Sequence, residues 1–589
     1  MSSLSRLRIS LSLLMGLSSL PGYAQGAVLV ASEVFQPVQT VVAAPEELKT
    51  KSMSFAQRSL QQILFPPMSM TLGEPSAAEW QALQQPVSRH KAFQIGIKRD
   101  VPALPDVVDW VWYAVAGGQA GQFTVTSNSA LRIRGFLELA EPLPAGVEIR
   151  IYAPDKSGQV FGPYSQADFK VQAGGKPGLW VPSLEGDTVG IEVFVPTGIS
   201  PAQVKLAIPQ VSHIAYDMQS SELRVDGVSD YRFASCDVSI ACAPTDWQQT
   251  SKAVARYIFS DGFGNSYLCS GSLLADKDSS SQIPYFATAA HCVFDATTAG
   301  SMDFFWFYRE STCGANDASW TQSSGGADLL ASRLELDSTL VRLKEPPPAG
   351  VLMSGWALDT LQAGDTVVGI HHGLGNPKQF SQGNFLSYAN IAVSTSGYMV
   401  VSDPNGLFTQ VSWEQGITAP GSSGSGLWKT IAGQAYLKGT LVGGSSSCSD
   451  PTSPDEYSRL EKFHPYVKTW LDADGGAVTS LLDPSKQFTA LVDGVLVARY
   501  LAGKRGSALL AGVSSAAVDM TVLESRLDWF TQQMDVDADG QRMAADDGLL
   551  LVRYLTGLRG NALTAGIDLS GAGRNTATAI TQYIESLLK

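Results

Sequence analysis

The sequence predicts a mainly β protein with a small helical end, and three observations carry that expectation. Apolar residues recur at every second position in several segments, all six cysteines fall between Cys236 and Cys448, and an internal repeat with helical spacing follows Gly475. At 589 residues the chain is longer than one hydrophobic core usually organises, so several folded units are expected. A hydrophobic fraction of 44% and a charged fraction of 16% fit globular units. The net charge of −14 excludes nucleic acid as a partner class, because binding a phosphate backbone needs a basic surface. It favours solubility and calcium.

Residues 1–24 read as a secretory signal. Arg6 and Arg8 give a positive start, Ile9 to Leu20 form an apolar stretch short for a membrane span, and Gly22-Tyr23-Ala24 suits cleavage after Ala24. No later segment is apolar for long enough to span a bilayer, so the mature protein is expected to have no membrane span and to be extracellular.

From Gln25 to about Arg224 there is no cysteine, and LRIRGFLEL (131–139), VEIRIYA (147–153) and VGIEVFV (189–195) alternate as half-buried strands do. Pro and Gly turns separate them, predicting a β-sandwich over about 90–215. The stretch from Cys236 to about Asp472 also reads as short strands, an all-β unit of barrel or sandwich type ending in a helix around Lys462 to Leu471. Six cysteines confined to one stretch of an exported chain imply three disulfides; spacing alone allows fifteen pairings, and no pair has close zinc-site spacing. Beyond Gly475, Val492 to Gly503 matches Asp546 to Gly557 at a register of about 54 residues, which indicates a duplicated helical unit.

Three segments of the central unit carry chemistry. Thr288-Ala289-Ala290-His291-Cys292 puts a histidine beside a half-cystine, Leu336-Asp337-Ser338-Thr339-Leu340-Val341 sets one carboxylate in an apolar strand, and Gly421 to Gly426 surrounds Ser423 with glycines. A serine hydroxyl needs a neighbouring base, histidine titrates near the working pH, and a buried carboxylate fixes its tautomer. Backbone N–H groups of Gly421 and Ser423 would receive the oxyanion of acyl transfer. The chain order His291, Asp337, Ser423 is that of the chymotrypsin arrangement.

On these segments, residues 236 to about 470 resemble the chymotrypsin-fold secreted bacterial proteases, and among them the lysyl endopeptidases. Cys269-Ser270-Gly271-Ser272-Leu273, the Thr-Ala-Ala-His-Cys segment, Gly421 to Ser425 after Pro420, and Gly443-Gly444-Ser445-Ser446-Ser447-Cys448 all match. The resemblance implies a double β-barrel and the disulfides Cys236–Cys448, Cys242–Cys313 and Cys269–Cys292. It implies that Asp455, shortly before Tyr457-Ser458-Arg459, lines the pocket for a basic substrate residue, and that Gly443 and Gly444 offer their backbone to the substrate. Two departures bound it. Val442 stands where lysyl endopeptidases carry a histidine, so strict lysine selectivity and the family's unusual pH behaviour do not carry over. Ser422 stands where trypsin-like zymogens have the aspartate that receives a freed N-terminal amine, so that route of activation is not expected. The resembled proteases carry a pair like His371-His372 in a structural position, and no neighbouring ligand completes a metal set around it.

The predicted organisation is therefore a signal at 1–24, a propeptide-like region at 25–232, a protease unit at 233–474, and a helical repeat unit at 475–589. Arg224 and Arg232 are the candidate processing points. In the terminal unit, Asp535, Asp537, Asp539, the Gln541 carbonyl and Asp546 occupy ligand positions of an EF-hand loop, and Gly540 permits its sharp turn. This resembles the calcium loop of dockerins and implies calcium there, with a protein or cell-surface partner as the counterpart. In the first repeat the corresponding Leu481 to Lys486 keeps only Asp483, so no ion is expected. The reading is a secreted serine endopeptidase that cuts protein and peptide substrates after Lys or Arg and needs no cofactor for catalysis. The competing readings are an inactive protease-like scaffold for calcium-dependent adhesion, and a serine hydrolase of non-basic specificity.

Overall fold

The computed structural model describes residues 28–35, 67–83, 92–102, 110–154, 159–171, 177–217, 222–225, 228–230, 236–278, 281–394, 397–472, 480–483, 488–514, 518, 520–531 and 533–588. The residues 1–24 read as a signal, Arg232 and residues 484–486 of the first-repeat loop lie outside them. The architecture is mainly β: a sandwich, a chymotrypsin-like double barrel and a terminal helical unit.

In the sandwich, one sheet runs Met68–Leu72, Gly118–Ser127, Thr188–Pro196, Glu148–Tyr152, Val160–Tyr164 in spatial order. The other carries Pro177–Trp180, Arg132–Leu139, Leu206–Ile214 and Phe93–Asp100. Val125, Ile149, Ile191 and Val193 from the first meet Ile133, Leu137 and Val211 from the second in one core. Burying such side chains stabilises by about 1.5–3 kcal/mol each. The sandwich starts earlier than the alternation alone indicated, because Met68–Leu72 adds a parallel edge strand to Gly118–Ser127.

The first barrel curls Val254–Ser260, Ser266–Leu274, Tyr285–Thr288, Ser338–Leu343, Ala327–Arg333 and Asp303–Arg309 around an aromatic core that includes Tyr257, Phe286, Phe304 and Trp306. The second runs Gln434–Gly444, Gly426–Ile431, Thr366–His371, Gln379–Ser394, Phe408–Gln415 and Asp455–Ser458. It closes when Asp455–Ser458 pairs back with Gln434–Gly444. Helix Leu460–Leu471 then returns to the first barrel, burying Phe463, Val467 and Trp470.

The second sheet of the sandwich and the first barrel form one continuous sheet, where the alternation suggests strands with a solvated face. Phe93–Asp100 pairs with Ser266–Leu274, and Arg132 and Arg134 of Arg132–Leu139 are buried against the barrel. Arg132 donates to the Ser183 carbonyl at 2.8 Å and to Gln322 Oε1 at 3.2 Å, and Arg134 Nη2 donates to the Ser301 carbonyl at 2.5 Å. Burial pushes both guanidinium groups down to about 10, against the opposing charge of the nearby buried Asp303. Asp303 accepts from Ser183, Gln322 and Ser324. A buried charge network of this kind resists the loss of any one member by about 3–5 kcal/mol. At the amino end, Leu29–Val30 pairs with Trp356–Ala357 and Glu33–Val34 with Leu352–Met353, placing Val30 and Phe35 in the barrel core.

The terminal unit is pseudo-symmetric. Gly494, before helix Val495–Leu501, faces Val552 and Leu555, and Gly548, before helix Leu549–Leu555, faces Ala498 and Leu501. Asp493 accepts from Leu481 and Thr489 N–H, and Asp547 accepts from Val536 and Met543 N–H, so the repeated aspartates close both loops. Arg526 fastens this unit to the first barrel by donating to the Leu330 carbonyl at 3.1 Å, beside the edge-on pair Trp470–Trp529.

His213 is buried in the sandwich, 2.9 Å from Ser127 Oγ and edge-on to Trp80. Burial, reinforced by Arg99, pushes it down to about 4. The unfolded chain therefore takes up a proton below about pH 6.5 that the fold refuses. This group's contribution is present above that pH and is lost as pH falls toward 4, by at most about 3 kcal/mol. Hydrogen exchange of Leu206–Ile214 between pH 7 and 4 should show protection falling less steeply in His213→Asn than in the wild type; equal slopes would contradict this role.

Candidate active site

The seam between the barrels collects the three sequence-predicted polar residues. His291 follows strand Tyr285–Thr288 and is tied down one residue later by Cys269–Cys292. The other disulfides are Cys236–Cys448 and Cys242–Cys313, which together are the pairs that the resemblance implies. Asp337 precedes strand Ser338–Leu343 in a left-handed conformation, φ 46°, which turns its carboxylate back toward the histidine loop. One oxygen accepts the His291 backbone N–H at 2.8 Å and the other lies 2.7 Å from His291 Nδ1. A carboxylate can only accept, so the proton sits on Nδ1 and leaves Nε2 as an acceptor. Nε2 is 2.8 Å from Ser423 Oγ.

Ser423 sits in a turn that only glycine neighbours allow. Gly421 has φ 92° and Gly424 φ 77°, and a Cβ on Gly424 would lie 2.1 Å from Thr288 Oγ1 and 2.5 Å from the Ser270 carbonyl. The turn spends the Ser422 N–H on the Ala419 carbonyl and the Gly424 N–H on the Leu441 carbonyl. The N–H groups of Gly421 and Ser423 have no acceptor among the described residues. Two such donors beside one serine hydroxyl are arranged as a developing oxyanion would need.

Ser270 pins this seam. Its N–H donates to the Ser423 carbonyl at 2.8 Å, its Oγ donates to the Gly421 carbonyl at 2.9 Å and accepts the His372 N–H at 3.0 Å, and its carbonyl accepts Thr288 Oγ1 at 3.0 Å.

Asp455 is completely buried at the start of its strand. It accepts from Trp413 Nε1 at 2.7 Å, Thr418 Oγ1 at 2.6 Å, and Ser446 N and Oγ at 3.1 and 2.7 Å. These four donors satisfy acceptor positions that burial would otherwise leave empty. Gly444 pairs with Asp455, and a Cβ there would lie 2.0 Å from Asp455 Oδ1. Gly443 and Gly444 pair on one edge only, since the pairing with Gly426–Ile431 ends at Thr440. Sequence reasoning missed Trp413, Thr418 and Ser446, which lie 9 to 42 residues from Asp455 and carry no local signal.

His371 and His372 diverge: His371 lies between Ser422 and Ser381, while His372 Nδ1 is 2.9 Å from the Asn376 carbonyl oxygen and its ring stacks on Tyr308. In the terminal unit, carboxylate oxygens of Asp535, Asp537 and Asp539 converge within 4.8 Å, and Gly540 has φ 84°. Asp546 stands outside that group and accepts the Asp547 N–H. Burial and the neighbouring Asp539, Asp546 and Asp535 raise the Asp537 carboxyl.

Residues 232–458 match the model of the lysyl endopeptidase C-terminal domain, and residues 71–215 that of the lysyl endopeptidase N-terminal domain. A lysyl endopeptidase of Pseudomonas aeruginosa is 32% identical over 374 residues, covering 61% of this chain and 76% of the relative. Among solved structures, a protease from M. tuberculosis in its active form aligns at 12% identity over 41% of this chain and 92% of its own, with a TM-score of 0.26. The thermostable serine protease AL20 from an extremophilic microorganism aligns at 14% identity over 36% and 92%, with a TM-score of 0.25.

The contacts around Gly424 predict that Gly424→Ala costs about 3 kcal/mol or more, because backbone and the Thr288 hydroxyl must both give way. Gly433→Ala, at φ 83° with open space around it, should cost about 1–2 kcal/mol, the strain of the left-handed backbone alone. Calorimetric unfolding of the two variants checks this; similar losses would show that packing at Gly424 is not tight.

Proposed function

The chain belongs to the lysyl endopeptidase family, it is a serine endopeptidase, and from that premise we propose that Ser423, His291 and Asp337 are its catalytic triad and that it cuts after basic residues. The observation that carries this is the unbroken line from Asp337 through His291 to Ser423, at 2.7 and 2.8 Å, beside two N–H groups without an acceptor among the described residues. His291 Nε2 takes the proton as Ser423 Oγ attacks the scissile carbonyl carbon. Asp337 stabilises the imidazolium that forms, and Gly421 and Ser423 N–H hold the oxyanion, each donor contributing about 3 kcal/mol. The imidazolium returns its proton to the leaving amine, and water repeats the sequence on the acyl-enzyme.

Asp455 supports a basic substrate residue. A fully buried carboxylate held in place by Trp413, Thr418 and Ser446 sets a negative potential that favours a substrate ammonium or guanidinium over an apolar side chain. The unpaired edge of Gly443-Gly444 suits an extended substrate added as a strand. Secretion is supported by the signal-like residues 1–24 and the three disulfides. No described helix is long and apolar enough to cross a membrane. Residues 25–232 act as a propeptide, processed after Arg224 or Arg232.

A serine-directed phosphonate should label the purified enzyme and not Ser423→Ala, and the labelled chain should begin after one of those arginines. Peptides that differ only at the residue before the scissile bond should be cut at Lys or Arg at least about 100-fold faster than at Leu, a preference that Asp455→Asn removes. Absence of labelling would favour the inactive scaffold, equal turnover of Lys and Leu would refute the role of Asp455, and a mature chain still beginning near Gln25 would refute processing.

In the terminal unit we propose a calcium site of the dockerin type. Asp535, Asp537, Asp539, the Gln541 carbonyl and Asp546 would hold the ion, with the left-handed Gly540 shaping the loop, and the module would dock to a protein or cell-surface partner. The crowded carboxylates repel one another until a cation joins them. Calcium should raise the melting temperature of the terminal unit and EDTA should lower it, with the difference absent in Asp537→Asn. The same temperature with calcium and with EDTA would contradict the site.

A further inference from the structure

The Ser423 turn is held from behind by a chain of hydrogen bonds that the catalytic scheme does not use. Ala419 N–H donates to Ser422 Oγ at 3.1 Å. Ser422 Oγ lies 2.9 Å from His371 Nδ1, and His371 Nε2 lies 3.0 Å from Ser381 Oγ. Ser381 Oγ donates to the Ile417 carbonyl at 2.9 Å. All three side chains are completely buried.

Proton counting gives this chain one direction. Ser381 spends its single hydroxyl proton on the Ile417 carbonyl, so toward His371 it accepts, and Nε2 carries the imidazole proton. Nδ1 of the neutral ring is then an acceptor, and Ser422 donates to it. Ser422 Oγ in turn has a lone pair for Ala419 N–H. Both ends of the chain fall on the segment from Ile417 to Ser422, which leads into Ser423. The middle lies on the strands Thr366–His371 and Gln379–Ser394. His371 thus ties the turn to the wall of the second barrel at a residue adjoining both oxyanion donors.

We propose that His371 is a positioning residue, which holds Ser422 and through it the Gly421 and Ser423 N–H groups in the geometry that receives the oxyanion. The inference rests on the serine endopeptidase reading. It also accounts for Ser422 in place of the aspartate that a freed terminal amine would engage. An internal hydrogen-bonded ring does the work of an ion pair, so the turn takes its shape without a terminus inserted beneath it. The chain's own strands supply every partner. Removing a link leaves the seam contacts of Ser270 in place but frees the Ser422 side of the turn to rotate.

The test uses the processed enzyme and a peptide substrate with Lys at the cleaved position, with rates expressed per active site titrated by a serine-directed phosphonate. Ser422→Ala and His371→Leu should each lower kcat by about 30-fold or more, the scale of a misplaced oxyanion donor, with KM changed less than about threefold. His371→Asn, which offers an acceptor at the Nδ1 position, should recover kcat to within about fivefold of the wild type. A peptide aldehyde, which places an oxyanion in the same hole, should lose affinity across the series in proportion to kcat/KM. The proposal is overturned if kcat per titrated site stays within twofold in Ser422→Ala. It is equally overturned if the Asn and Leu variants fall together, because a merely space-filling ring would not distinguish them. Failure of the parent reading looks different: the wild type itself would show no turnover that Ser423→Ala abolishes.

Discussion

A base on one barrel can activate a nucleophile on another only if the seam between them is pinned, and Ser270 pins it. Its N–H, hydroxyl and carbonyl bind the Ser423 carbonyl, the Gly421 carbonyl, the His372 N–H and the Thr288 hydroxyl. The preceding residue, Cys269, is bonded to Cys292 beside the histidine. Two consecutive residues therefore couple the Ser423 turn, the histidine loop and the end of the strand Thr366–His371. Each contact alone contributes about 1 kcal/mol, but together they fix reacting groups to within a few tenths of an ångström, which is the precision that positioning demands.

The glycines follow from that constraint. With the His372 carbonyl pressed against residue 421, and Ser270 and Thr288 against residue 424, neither position has room for a side chain, and both take left-handed backbone. The same logic holds at Gly444, where the Asp455 carboxylate fills the place of a Cβ. Small residues around the site are thus the negative image of the polar groups packed against it.

Much of the fold was legible because alternation and turn residues are local properties. Strand 131–139 was expected from its alternation and forms at Arg132–Leu139; the duplicated helices formed where the repeat placed them. The closeness of His291, Asp337 and Ser423 was legible from chain order and resemblance. Alternation could not show that the polar side of Arg132–Leu139 is buried, because a strand covered by a second unit reads like one covered by water. Arg132 and Arg134 carry no mark of Asp303, more than a hundred residues away. Nor could the residues show that Leu29–Val30 joins the second barrel, or that Trp413, Thr418 and Ser446 hold Asp455. Those contacts exist only after the chain has closed on itself, and the pairing of His371 with Ser422 is of the same kind.

The central claim is that Asp337 fixes one tautomer of His291, with its proton on Nδ1 and Nε2 facing the Ser423 hydroxyl. Nuclear magnetic resonance of protein labelled with nitrogen-15 in histidine tests this most directly. The account predicts a strongly downfield proton bonded to His291 Nδ1 at neutral pH, absent from the Asp337→Asn protein. A proton found on Nε2 instead, or an Nδ1 signal unchanged in Asp337→Asn, would contradict it.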